Sequence, residues 1–317
     1  MTLSETRTRV RANHRAGPEP RRRSLLGPRS LVHPPGVGLA LVAPATLFVA
    51  VFVLAPLAFA VYISLTNWPL IGPYTFVGLS NYANIVQDVA FWQSVGYTLL
   101  YTAIVTVPIL VVGYLMAVVV RANRRGSTAL RTIFFLPFVI GLSTLSFLLV
   151  LEAQPGSGAV NQVLKALHIT EGQTAWLVNA PLATGLICVL VIWAVSGLTM
   201  VLMISGMQSI PRELYESAEI DGASWWGREF HVTIPLLRRT IGMSLILSVI
   251  GSFLAFTQFY ILTQGGPGRA TTPIVLYIYN RAFVQLQVGA ATALSIVLVL
   301  VVALISAGQF WLLRERD

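Results

Sequence analysis

Cysteine occurs once in these 317 residues, lysine once, and charged side chains of every kind make up only 10%. Each scarcity excludes something. The one thiol, Cys188, lies inside an apolar run, so no intrachain disulfide can form and no cysteine-based metal site is expected. The one lysine, Lys165, follows Leu164, so the phosphate-binding pattern G-x-x-x-x-G-K-[ST] is missing. Any nucleotide chemistry must come from another chain. A soluble domain carries roughly 25% charged residues; here 56% are hydrophobic and the mean hydropathy is +0.75. That is the composition of an integral membrane protein. The formal charge of +9 is not a nucleic-acid footprint, because its arginines flank apolar segments instead of lining one face.

What is there is organised by those segments. Six apolar runs, roughly Val37–Leu65, Ser94–Val120, Thr132–Leu151, Leu182–Met207, Ile241–Thr263 and Val288–Leu313, each suffice to cross a bilayer, which takes about 20 helical residues. The predicted fold is therefore all-α, with six transmembrane helices over 36–317. Pro44, Pro56, Pro108 and Pro137 fall in or near the runs, as membrane helices tolerate. Trp68, Trp92, Trp176 and Trp311 fall near run ends, where indole rings anchor at the membrane surface. Residues 1–35 are rich in Arg, Pro and Ser without apolar periodicity and read as a disordered tail.

None of the six runs contains Asp, Glu, Lys, Arg or His. Ion-coupled carriers and intramembrane enzymes place ionisable groups at membrane depth, so the sequence offers no catalytic residue and no metal site there. Lys and Arg are divided between alternate loops eighteen against three. By the positive-inside rule, both termini and the segment 209–239 are expected in the cytoplasm. The three loops on the other side are too short for an independent domain, so capture of a solute there would need a separate protein.

The segment 209–239 is the longest polar interruption between two apolar runs apart from the tail, and it holds five of the chain's twelve acids. Pro211 suits a first helical turn. Asp221-Gly222 reads as a turn, since glycine tolerates positive φ. A second short helix is expected from Ser224 to about Val232, ended or kinked by Pro235. This is a charged helix–turn–helix facing water, and a partner.

The same segment resembles the EAA loop of permease subunits in bacterial ABC importers. Glu216-Ser217-Ala218, Gly222 and Val232-Thr233-Ile234-Pro235 keep the family's register, with Ser217, Val232 and Ile234 as conservative departures. The flanking Glu213, Asp221 and Ala223 fit the carbohydrate-uptake branch, the MalF/UgpA-like permeases. Phe76-Val77-Gly78-Leu79, Asn81-Tyr82, Phe134 with Pro137, and Leu262-Thr263-Gln264-Gly265-Gly266-Pro267 extend the resemblance from about Leu39 to Leu313. It implies the type I importer permease fold in a bacterial inner membrane. It also implies a second permease subunit, a dimer of ATP-binding subunits that use ATP and Mg, and an extracytoplasmic solute-binding protein; this chain itself would hold no cofactor. The short helix after the turn would dock on the ATPase, with Trp225, Trp226 and Phe230 as anchors or as packing against the permease and lipid. Glu216 would hold the loop's own fold or contact the ATPase.

A sugar-like solute needs hydroxyl and amide partners and aromatic faces. Trp193, Ser196 and Thr199 on the fourth run and Thr257, Gln258 and Tyr260 on the fifth offer them, with helix packing as the competing explanation. Asn280, read as lying in a loop, is less useful. A glycerophosphodiester or amino sugar is an alternative solute, and a polytopic membrane enzyme or scaffold an alternative class.

Overall fold

The computed structural model describes residues 35–121 and 126–313. The expected disordered tail, Arg124, Arg125 and the two C-terminal arginines lie outside the described residues, apart from Pro35. Contacts divide the chain after Leu54. The first unit contributes α1 (Pro35–Val49) and a π turn (Ala50–Leu54), with Pro44 inside the helix. Phe48 and Phe52, one turn apart, bring their rings to 4.7 Å.

The second unit begins with α2 (Ala55–Ser64), α3 (Ser80–Gln87) and α4 (Val89–Arg121). It continues with α5 (Ser127–Ile140), α6 (Leu142–Glu152), α7 (Ala159–Ala166) and α8 (Ala180–Gln208). After a short loop come α9 (Arg212–Ile220), α10 (Trp225–Arg228), α11 (Ile234–Leu236) and α12 (Arg238–Phe253). Last are α13 (Thr257–Leu262), α14 (Ile274–Tyr279) and α15 (Val288–Leu313). No strand occurs among the described residues, only the isolated bridges Thr66–Phe76 and Pro69–Gln287.

Among the described residues, five stretches are long and apolar enough to cross a membrane: 41–64, 89–121, 180–208, 238–262 and 288–313. The expected third span is different. Its residues form α5 and α6, bent by 89° about Gly141, so it counts as a sixth span only if the bent pair is one. Gly141 takes φ +86°, which a side chain would resist. Pro137, one turn earlier in α5, has already removed a backbone donor. The span 238–262 is also broken, between Phe253 and Thr257, with Phe256 at φ −135°.

The core is built on α4 and α8. Tyr97 Oη lies 2.9 Å from Thr184 Oγ1 near one end, and Gly113 meets Thr199 further along. The two helices therefore run in the same direction. A Cβ on Gly113 would sit 2.6 Å from Thr199 Cγ2, so glycine lets the backbones approach. Tyr101, Val105 and Ile109 of α4 pack with Ile187, Val191 and Ala194 of α8 in one buried cluster. Nearer Arg121, Ala117 and Val120 pack with Met200, Met203, Met207 and Leu237. The fully buried Asn161 folds the 152–179 connection: its amide donates to the Gln154 and Thr174 carbonyls and accepts from Trp176 Nε1.

Candidate functional site

Segment 209–239 forms the two helices the sequence predicts, with a turn at Gly222. Gly222 has φ +79°, the left-handed conformation that admits glycine readily. Ser224 caps the second helix, its hydroxyl accepting from the Gly227 N–H at 3.2 Å. That helix does not stop near Val232. α10 widens into a π turn over Glu229–Thr233, α11 carries it to Leu236, and a break at Leu237 precedes α12. Pro235 is thus inside the helical run. Its ring would crowd the carbonyl of His231, one turn back, and a π turn is the local widening that relieves such a clash.

One face of the segment is open. Trp225, Trp226 and Phe230 are exposed by 44%, 64% and 58%. Trp226 packs edge-on against Trp225 at 4.5 Å and stacks on Phe230 at 6.0 Å. Glu213, Glu216, Ser217, Asp221 and Gly222 are also exposed, with Ala218 and Ala223 half-buried. Glu216 makes no hydrogen bond or ion pair among the described residues.

The opposite face is anchored by a residue that sequence reasoning missed as a site. Glu229 is 3% exposed. Its carboxylate is paired with Arg121, the last residue of α4, and accepts a 2.6 Å hydrogen bond from Tyr114 Oη. Arg121 also sits over the Tyr215 ring, 5.6 Å from its centroid. Tyr215 Oη in turn lies 3.1 Å from Thr233 Oγ1. Tyr114 and Arg121 are seven residues apart, hence on one face of α4. Both halves of the segment are therefore tied to that face, α9 through Tyr215 and the π turn through Glu229, while Thr233 links the two halves through Tyr215.

The six solute-path candidates are not gathered into one pocket. Ser196 and Thr199 are buried, Thr199 against Gly113, and Ser196 Oγ has no hydrogen-bond partner among the described residues. Gln258 is buried and donates to Tyr101 Oη at 3.1 Å. Trp193 and Tyr260 are exposed, by 50% and 41%, and Thr257 is half-buried. Tyr260 stacks on Phe256 at 5.1 Å and meets Tyr279, which continues to Phe283. Asn280 is not in a loop: it opens a π turn that extends α14.

At the Val89 end of α4 lies a polar cavity of about 340 Å³, lined by Trp68, Asn81, Asn84, Asp88, Tyr277 and Arg281 among others. Asp88 pairs with Arg281 and accepts from Tyr277. Burial pushes its carboxyl up, but Tyr277, Arg281 and the Ala90 N–H outweigh this and hold it below the usual carboxylate range. Among the described residues no group of three or more His, Cys, Asp or Glu is placed to hold a metal.

Residues 109–315 match the family of binding-protein-dependent transport system inner membrane components. The chain belongs to that family. It is a multi-pass protein of the inner membrane. The lactose transport system permease protein LacF of Rhizobium radiobacter is 34% identical over 285 residues, covering 88% of this chain and 94% of that protein. The sulfoquinovosyl glycerol transport system permease protein SmoG of Agrobacterium fabrum is 30% identical over 313 residues, 98% of this chain and 99% of its own length. The fold is similar to a chain in the crystal structure of a bacterial ABC transporter involved in the import of the acidic polysaccharide alginate. That match has a TM-score of 0.78 and 21% identity, over 89% of this chain and 96% of that one.

Proposed function

We propose that this chain is one permease subunit of a binding-protein-dependent ABC importer for a sugar or related polyol. It forms half of the solute path, crosses the membrane six times with both termini inside, and docks segment 209–239 on a separate ATPase subunit. The observation that carries the proposal is the two-sided build of that segment. One side is fastened to α4 through the buried Glu229. The other presents Trp225, Trp226 and Phe230 and Glu216, which is exposed and has no partner among the described residues, and exposed aromatics are the residues that anchor interfaces.

The charge asymmetry supports a cytoplasmic position for the segment and an outer position for the Asp88 cavity. ATP and Mg are used by the partner's dimer of ATP-binding subunits, and the solute arrives from an extracytoplasmic binding protein through a route shared with a second permease. The sugar assignment is supported by the relatives' solutes, and the exposed Tyr260, in a row with the half-buried Phe256 and Tyr279, is a face on which a sugar ring can stack.

Reconstitution in proteoliposomes tests the reading. Lactose, maltotriose and a glycerophosphodiester are offered with the genetically linked binding protein, second permease and ATPase. Uptake of a sugar that requires ATP and all the parts is the expected result. Solute accumulation or ATP hydrolysis by this chain alone would overturn it.

A further inference from the structure

The buried Glu229 is an acid that docking does not explain. It cannot touch a partner, since only 3% of it is exposed. A carboxylate taken out of water is unfavourable unless paired and hydrogen-bonded. Here it receives both Arg121 and Tyr114 from one face of α4. Arg121, at the C-terminal end of α4, is also favourably placed for the helix dipole. Its guanidinium reaches Tyr215 of α9 as well, with Nη1 at 3.4 Å from the hydroxyl. Close by, Ala117, Val120, Met207, Ile210 and Leu237 form a buried apolar cluster that Tyr114 and Tyr215 pack against, while Arg121 keeps 28% of its side chain exposed and Glu229 only 4%.

We infer that Glu229 and Arg121 form the joint through which the docked segment moves α4, Glu229 acting as a positioning residue for coupling. The inference rests on the proposed docking of segment 209–239. Packing alone would leave the segment free to rock on its apolar bed. A charge-assisted bond to two points on one helix face allows a single arrangement, so α9, the π turn and the end of α4 move as one body. α4 is also the helix that packs along α8 and ends at the Asp88 cavity, which places both ends of the molecule on one rigid element.

Spin-label distances in the whole importer test this, with the full chain, its second permease and its ATPase purified together. Cys188→Ser removes the native thiol, and labels go on Leu214→Cys and Val119→Cys, both exposed. Distances are read without nucleotide and after trapping with ATP and vanadate. Without further changes, one narrow distribution is expected in both states. Glu229→Gln keeps the side chain's shape and removes its charge. It should still bind the ATPase, but its distribution should shift or broaden by about 2 Å on trapping, the scale of a packed-helix displacement. An unchanged narrow distribution in Glu229→Gln, or an equal shift in the labelled parent, overturns the joint. If Glu229→Gln fails to assemble, Tyr114→Phe decides: it removes one bond, keeps the ion pair, and should broaden the distribution on trapping. A Tyr114→Phe distribution identical to the parent's overturns the joint. A parent chain that binds no ATPase overturns the docking reading, and the joint with it.

Discussion

At Gly197 the helices α5 and α8 approach closely, which makes a quantitative prediction. A Cβ placed there would overlap the Phe134 carbonyl oxygen and lie 3.0 Å from Phe135 Cα. Both obstacles are backbone atoms of α5, which cannot turn aside as a side-chain tip can. Gly197→Ala must therefore push α5 and α8 apart. Overpacking a well-filled core by a methyl group costs about 1–3 kcal/mol, and a backbone obstacle places this variant toward the upper end. Gly185 lies on the same helix with nothing within 4 Å of its Cβ position. There alanine should stabilise by about 0.5–1 kcal/mol through its better helix propensity. Cys188 lies on α8 between the two glycines and is the chain's only cysteine, 5% exposed. Heating the detergent-solubilised protein with a thiol-reactive dye thus reports directly on the opening of this helix. Gly197→Ala should melt lower by roughly 3–5 °C, at about 1.5 °C per kcal/mol for a chain of 317 residues. Gly185→Ala should melt at or above the parent. Equal melting of Gly197→Ala and the parent, or equal losses in both variants, would refute the close-approach argument.

Three further outcomes are expected. Because Asp88 is held below the usual carboxylate range, its stabilising contribution is complete above the unfolded carboxyl pKa of about 4 and is lost as pH falls through the folded value. The melting temperature of the parent should drop over that acid window more than that of Asp88→Asn, measured from pH 7 to 3. Glu216→Lys should leave the melting temperature unchanged, because Glu216 has no partner among the described residues, while reducing co-purification of the ATPase. Trp226→Ala should do the same through loss of an exposed aromatic anchor, by about 1–2 kcal/mol or more in affinity; normal binding by both variants would exclude this face.

Much of the fold was legible because hydropathy has a length scale: five of the six apolar runs reappear as spans, and the turn at Gly222 follows from a residue type that tolerates positive φ. What was not legible depends on tertiary geometry. Thr132–Leu151 reads as one continuous apolar run, and nothing in its composition distinguishes a straight helix from an 89° bend at Gly141. The break before Thr257 carries no proline or charge to announce it. Among the solute-path candidates, residue chemistry could not separate Gln258, committed to Tyr101, from Tyr260, which is open. The pairing of Glu229 with Arg121 spans 108 residues; the one available signal was Tyr114 and Arg121, seven apart at the end of an apolar run.

Two acids in one short segment have opposite environments, and the difference decides what each can do. Glu216 lies where the sequence resembles the EAA pattern and has no partner among the described residues; Glu229 is not one of that pattern's residues and is buried. An exposed carboxylate can be given to a partner without breaking anything internal, so a docking residue must start unpaired. A buried one must already be satisfied, or its desolvation would destabilise the fold by several kcal/mol. The sequence pattern points to Glu216 and is silent on Glu229, although the structure leans on Glu229. Substituting Glu229 should therefore alter the segment's attachment to α4, and substituting Glu216 only its contact with the outside. If both substitutions produced the same defect, the division of labour between the two faces would be wrong.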